Sequence, residues 1–108
     1  MIEVIQDKDW ALEKIGGTSL KGRLYGVKYS ELIEALGQPT FNQESGDGKT
    51  QFEWVFEFDG DYYTLYDWKT YDVQYTINEL TTWNIGGKSS AWEFIDALES
   101  LVKKTQNA

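Results

Sequence analysis

The fold is decided by the stretch Thr50-Gln-Phe-Glu-Trp-Val-Phe-Glu-Phe58, which runs through Asp59-Gly-Asp61 into Tyr62-Tyr-Thr-Leu-Tyr-Asp-Trp68. Its first part alternates in a way that is typical of a strand with one core face and one solvated face. The predicted core face carries Phe52, Trp54, Phe56 and Phe58, and the predicted solvated face carries Gln51, Glu53, Val55 and Glu57. The second run, Tyr62 to Trp68, is rich in aromatic residues, and two runs of this kind joined by an Asp-Gly turn predict an antiparallel β-hairpin.

The segments outside the hairpin extend the predicted sheet. Val73 to Ile77 alternates, with Val73, Tyr75 and Ile77 on one side, and predicts a further strand, and Leu80 to Ile85 predicts the last one. Ser19 to Val27 predicts a weaker strand, in which Gly22 favours an edge position or a bulge. The expected sheet is an antiparallel β-meander of about four to five strands.

Three segments have helical spacing. Ser90 to Lys104 carries a continuous apolar stripe and begins with a capping box that ends at Glu93. Ser30 to Leu36 predicts a short helix with Ser30 as its N-cap, and Met1 to Gly17 predicts another with Asp9 as N-cap. Residues 1–108 are therefore expected to form a single α+β domain, in which the meander packs against a C-terminal helix and one or two shorter helices.

Composition excludes several classes of chemistry. The 108 residues include no Cys and no His, which excludes disulfides, thiolate or imidazole zinc sites and histidine-assisted nucleophiles. The net charge of −8 opposes direct binding to duplex nucleic acid. No metal or cofactor is expected, and the protein is not expected to be an enzyme. The lack of a long apolar run predicts a soluble cytoplasmic protein without membrane contact.

A glycine-rich segment provides the predicted ligand site. Ile85-Gly-Gly-Lys-Ser-Ser90 is expected to connect the last strand to the C-terminal helix, where free backbone amides and the helix dipole attract an anion. The residues expected to bind the ligand are Gly86, Gly87, Lys88, Ser89 and Ser90, with Trp83, Trp92 and Tyr66 as aromatic walls. A plain strand-to-helix turn is the alternative interpretation.

Several motifs resemble those of small acidic proteins encoded in many tailed-phage genomes. The motifs are Gly26-Val-Lys-Tyr29 with Gly37-Gln-Pro39, Glu53-Trp-Val55, Tyr66-Asp-Trp-Lys69 and Trp83-Asn-Ile-Gly-Gly87. The resemblance implies a role in host takeover or counter-defence in the cytoplasm of an infected bacterium. Proteins of this kind disarm a host system by sequestering a nucleotide signal, by blocking an enzyme or by imitating the charge of DNA.

Two functions follow as hypotheses. The first is a non-catalytic counter-defence protein that sequesters a phosphate-bearing small ligand, such as a nucleotide second messenger. The alternative is an acidic inhibitor of a host defence or nucleic-acid-binding enzyme, because the segment from Glu44 to Glu79 holds nine carboxylates and only two lysines. Its predicted contact residues are Glu53, Glu57, Asp59 and Asp61. Seventeen aromatic residues in so small a domain also predict a homo-oligomer.

Overall fold

A computed structural model describes residues 2–43, 45 and 48–107 and shows a five-stranded antiparallel sheet with helices packed on it. The strands are β1 (Glu3–Val4), β2 (Ser19–Tyr25), β3 (Glu53–Phe58), β4 (Asp61–Tyr66) and β5 (Thr82–Gly87). The helices are α1 (Lys8–Ile15), α2 (Tyr29–Leu36), α3 (Val73–Asn78) and α4 (Trp92–Gln106). The strand order is β1-β3-β4-β5-β2, so the α+β prediction is confirmed.

The central hairpin of the sheet, formed by β3 and β4, is the one that the sequence predicts. Phe58 pairs with Asp61 across a two-residue turn. Asp59 and Gly60 have φ angles of 51° and 82°, and two consecutive positive φ angles are those of a type I′ turn, whose twist matches that of antiparallel strands. β2 lies at one edge of the sheet, and its register shifts between Leu20 and Gly22, as the internal glycine predicted.

The core lies between one face of the sheet and helices α2 and α4. Trp54, Phe56, Leu65, Trp83 and Ile85 contribute its sheet side, and all five are fully buried. Phe94 of α4 stacks on Tyr63 with ring centroids 4.4 Å apart. The apolar stripe of the C-terminal helix therefore packs as its spacing predicts.

The second face of the sheet is less solvated than the alternation predicted. Val55 and Thr64, which are cross-strand neighbours on that face, are both buried. α1, whose Ala11 is buried, packs on β4, and Thr40 lies beside β3, where its hydroxyl accepts a hydrogen bond from the Val55 amide at 3.0 Å. Because these elements come from distant parts of the chain, the alternation within β3 could not reveal them.

Two secondary-structure predictions are wrong. Val73 to Ile77 belongs to α3 and is not a strand, because the Asp72 carboxylate accepts a hydrogen bond from the Gln74 amide at 2.9 Å and caps a helix. Glu3 and Val4 lie in β1, which pairs with β3, although this part of the chain was predicted to be helical. Met1 lies outside the described residues.

The predicted N-caps of all three predicted helices are displaced. The first helix is capped by Asp7, which accepts a hydrogen bond from the Trp10 amide at 3.1 Å, and not by Asp9. The N-cap of α2 is Lys28 in place of Ser30, and its amide donates to the Glu31 carboxylate at 2.8 Å. α4 is preceded by Ala91 at the N-cap, one residue beyond the predicted Ser90, and has no side-chain cap.

A buried carboxylate joins the end of β4 to α3 and to the start of β3. Asp67 has 0% of its surface exposed. Its Oδ1 accepts hydrogen bonds from the backbone amides of Gln51 and Phe52 at 2.8 and 3.0 Å. Its Oδ2 accepts from the hydroxyls of Thr70 and Thr76 at 2.9 and 2.7 Å. All four donors are thereby satisfied by one side chain, which fixes the segment between β4 and α3.

Candidate functional site

The glycine pair of the sequence-predicted site lies inside the sheet. Gly86 and Gly87 belong to β5 and are paired with β2 on one side and with β4 on the other. Both are buried, and a Cβ atom on Gly87 would lie 3.0 Å from the Tyr63 ring. The connection between β5 and α4 therefore begins after Gly87, later than the sequence predicted. The two glycines are part of the sheet, where their lack of a side chain leaves room for neighbouring residues.

The predicted aromatic walls do not converge. Trp83 is fully buried on the core face, where its indole N–H donates to the Val27 carbonyl at 2.8 Å. Tyr66 lies on the opposite face, because it pairs with Asn84, the residue after Trp83. Trp92 is 68% exposed on α4. A ligand at Lys88, Ser89 and Ser90 would therefore meet Trp92 without the other two rings.

The surface beside Ser90 and Trp92 is acidic. A cavity of about 220 Å³ there is lined by Phe58, Asp59, Asp61, Tyr63, Ser90, Trp92 and Glu93. Burial raises the pKa of the Tyr63 hydroxyl, and the carboxylates of Asp61, Glu93 and Asp59 raise it further, while a hydrogen bond with Ser89 lowers it. Three carboxylates around this cavity oppose an anionic ligand.

A larger cavity opens on the other face of the sheet, between α1 and the chain that precedes β3. Its volume is about 380 Å³, and its lining residues are Lys8, Leu12, Phe41, Asn42, Gln43, Ser45, Thr50 and Glu53. This volume lies within the range of about 300 to 1,000 Å³ that is typical of small-molecule sites. The lining combines one carboxyl group, one ammonium group, an aromatic ring and several hydrogen-bonding side chains, so it suits a small polar ligand with a flat apolar part.

Glu53 contributes the carboxyl group of this cavity and is the first residue of β3. Its backbone exchanges two hydrogen bonds of 2.9 Å with Phe41, which brings the preceding segment against the sheet and forms one wall of the cavity. Its side chain is partly buried and hydrogen-bonded to the Thr64 side chain. Burial raises the pKa of Glu53 from 4.5 to about 7, with the Thr64 hydrogen bond lowering it and the nearby Asp67 raising it.

A row of polar side chains crosses the sheet from Glu53. Glu53 pairs with Tyr66, Tyr66 with Asn84, and Asn84 with Arg23 of the edge strand β2. Burial raises the pKa of the Tyr66 hydroxyl, which is hydrogen-bonded to Asn84. A Cβ atom on Gly86 would lie 3.7 Å from the Tyr66 ring. Tyr66 and Gly86 therefore belong to the neighbourhood of Glu53 and not to a site at Lys88.

The four acidic residues of the alternative hypothesis do not form one patch. Asp59 and Asp61 are exposed at the tip of the hairpin, and Glu57 is partly buried beside it. Glu53 lines the cavity at the opposite end of β3. The segment from Glu44 to Glu79 holds nine carboxylates, and two of them, Glu44 and Asp47, lie outside the described residues.

An exposed aromatic patch occupies the segment from Trp68 to Ile77. Its members with large exposed side chains are Trp68, Tyr71, Val73, Tyr75 and Ile77. Lys69 and Tyr71 both have a φ angle of 57°, which is uncommon for residues other than glycine. The Asp67 hydrogen bonds anchor both sides of this segment, so the rings are presented on a fixed backbone.

Sequence reasoning missed the cavity and the row beside it. The alternation of β3 assigned Glu53 to a solvated face, although its side chain is partly buried beside the cavity. A polar residue that begins an aromatic strand is the only signal that pointed to Glu53. Nothing in the sequence showed that α1 and Phe41 would meet above it.

Comparison with known proteins gives no relative for this chain. No protein-family model, no curated protein and no solved structure matches it. Among the helices of residues 2–43 and 48–107, none has the length and apolar character needed to cross a membrane.

Proposed function

We propose that the protein is a non-catalytic binding protein that sequesters a phosphate-bearing small ligand, such as a nucleotide, in the cavity beside Glu53. The observation that carries the proposal is the lining of that cavity of about 380 Å³. In the phage context that the sequence resemblance implies, the ligand is a nucleotide signal of the host, and sequestering it disarms the host's defence. Binding alone is proposed because the chain has no His or Cys for the commonest acid–base and nucleophilic chemistry.

The two ends of a nucleotide match different parts of the lining. Phe41 offers an aromatic wall to a base, and the carboxyl group of Glu53 and the amide of Asn42 offer hydrogen bonds to its edge. Lys8, in the first turn of α1, offers an ammonium group to a phosphate. The protein's net charge of −8 does not prevent this contact, because charges farther away than about 8 Å are largely screened at physiological ionic strength.

Calorimetric titration with GMP, AMP, CMP and UMP, each beside its nucleoside, tests the proposal. We expect one or more nucleotides to bind in a 1:1 ratio and the matching nucleoside to bind about tenfold more weakly, since it lacks the charge-assisted contact with Lys8. Equal affinity for nucleotide and nucleoside, or no binding of any nucleotide, would contradict the proposal.

The exposed aromatic patch favours a second candidate, the acidic inhibitor. Trp68, Tyr71 and Tyr75 are large, exposed and close to the acidic residues Asp72 and Glu79. Aromatic anchors are enriched in protein interfaces, and acidic surroundings favour a basic partner surface such as that of a nucleic-acid-binding enzyme. A homo-oligomer, which the aromatic content predicts, stays a prediction.

Two exposed tryptophans of the described residues allow specific binding by the patch to be distinguished from non-specific hydrophobic binding. Trp68 is 47% exposed within the patch, and Trp92 is 68% exposed on α4. If the patch binds a partner enzyme, Trp68→Ala should weaken inhibition of that enzyme by tenfold or more, whereas Trp92→Ala should leave it unchanged; tenfold corresponds to about 1.4 kcal/mol. Equal effects of the two variants in an inhibition assay would rule out a specific role for the patch.

A further inference from the structure

We propose that the Glu53 cavity selects guanine-type bases, because the carboxylate of Glu53 accepts the two adjacent N–H donors of the guanine edge. This inference rests on the proposed function and adds to it the class of base. Guanine presents N1–H and the N2 amino group side by side, and a carboxylate with its two oxygens accepts such a pair of donors. Adenine presents the N1 lone pair at the same place, which an ionised carboxylate repels, so adenine can pair only with the protonated carboxyl group.

The side chain of Thr64 favours the ionised form of Glu53, and a bound guanine would favour it further. The Thr64 hydroxyl is hydrogen-bonded to the carboxyl group, and this contact lowers the pKa of Glu53. The donor pair of guanine adds two charge-assisted hydrogen bonds that the empty cavity does not supply.

Further charged and titratable groups near Glu53 lie on β4 or directly after it, and on β2. Asp67, at the end of β4, raises the pKa of Glu53, and Tyr66 is its cross-strand neighbour. Arg23 of β2 acts on the Tyr66 hydroxyl and lowers the pKa of that group. Since the free carboxyl group has a pKa of about 7, binding guanine to its ionised form at pH 7 displaces a fraction of a proton.

The other parts of the cavity complete this recognition. The side-chain amide of Asn42 supplies an N–H donor for the O6 acceptor of guanine, and Phe41 supplies the surface for its ring. Lys8 contacts the phosphate, as in the proposed function. The base is thereby identified by its donor pattern, and the phosphate contributes affinity without distinguishing one base from another.

The test compares GMP, IMP and AMP by calorimetry at pH 7 and pH 8, in buffers of different ionisation enthalpy. IMP retains N1–H and lacks the N2 amino group, so it isolates one of the two hydrogen bonds. We expect GMP to bind about tenfold more tightly than IMP and AMP to bind most weakly. We also expect GMP to release protons at pH 7 and to bind more tightly at pH 8.

Glu53→Gln and Glu57→Gln provide the matched pair of variants. Glu57 lies on the same strand and the same face but does not line the cavity. The amide of Glu53→Gln presents one acceptor and one donor, so GMP affinity should fall at least about tenfold while AMP affinity does not fall. Glu57→Gln should leave both affinities unchanged.

Three outcomes separate the inference from the proposed function. The expected order of affinities with proton release supports both. Equal or tighter binding of AMP, or proton uptake on binding, overturns guanine selection and leaves nucleotide binding intact. Failure of GMP, IMP and AMP to bind overturns guanine selection, and failure of CMP and UMP as well overturns the proposed function too.

Discussion

Replacing Asp67 with alanine is expected to lower the free energy of unfolding by about 3 to 5 kcal/mol. Asp67 is fully buried and accepts four hydrogen bonds, two from the backbone amides of Gln51 and Phe52 and two from the hydroxyls of Thr70 and Thr76. Each buried donor that loses its partner costs about 1 to 3 kcal/mol, although the threonine hydroxyls can rotate toward other acceptors. Urea unfolding followed by tryptophan fluorescence measures the effect.

Asp67→Asn and Asp61→Asn serve as controls for this prediction. The NH2 group of asparagine would replace one carboxylate oxygen and face the two donors that this oxygen accepted from. Asp67→Asn should therefore also destabilise the protein, but by less than alanine. Asp61 is exposed in the hairpin, and its replacement should change the free energy of unfolding by no more than about 0.5 kcal/mol. Similar, small effects at Asp67 and Asp61 would show that the buried network does not hold the segment before α3.

Glu53 is expected to make stability fall as the pH rises from about 4.5 to about 7. Its pKa is about 7 in the folded protein and close to the ordinary value of 4.5 when unfolded. The folded state therefore binds more protons than the unfolded state in this window, and raising the pH favours unfolding. The shift corresponds to a loss of about 3 kcal/mol once the pH is above 7.

Glu53→Gln removes this titration and isolates it from that of other carboxylates. Glutamine resembles the protonated acid, so the variant and the original protein should be similarly stable near pH 4.5. Near pH 8 the variant should be more stable by about 3 kcal/mol. Chemical unfolding at intervals between pH 4.5 and pH 8 gives both curves. Parallel curves would mean that Glu53 is not held in an environment that disfavours its charge.

Local patterns in the sequence predicted much of the fold. The Asp-Gly turn and the apolar stripe of α4 depend on neighbouring residues, and both are confirmed. The alternation of β3 correctly predicted a strand but not the burial of Val55 on its second face. The segment Val73 to Ile77 alternates like a strand but is helical, because Asp72 caps it and Thr76 donates to Asp67. That second contact joins residues nine positions apart in sequence through a buried carboxylate, which a periodicity argument does not detect.

The candidate site was less predictable because it depends on contacts distant in sequence. The Gly86-Gly87 pair has the composition of a turn, yet it lies in β5, where a Cβ atom would lie 3.0 Å from the Thr64 hydroxyl at Gly86 and 3.0 Å from the Tyr63 ring at Gly87. The cavity forms only when Phe41 pairs with Glu53 and α1 packs over the same face. Neither contact produces a recognisable pattern in the local sequence, so the predicted ligand site was placed at Gly86 and Gly87.

The most direct test of the account is a pair of charge reversals, Lys8→Glu and Lys88→Glu. Both lysines are exposed, and both variants change the net charge of the protein equally, but only Lys8 lines the cavity beside Glu53. The measurement is the calorimetric affinity for GMP or AMP, whichever binds the unmodified protein more tightly. The account predicts a ten- to hundredfold loss for Lys8→Glu, from a charge-assisted contact of about 1.5 to 3 kcal/mol, and little change for Lys88→Glu. A large loss for Lys88→Glu with full affinity in Lys8→Glu would contradict it and place the ligand at the end of β5.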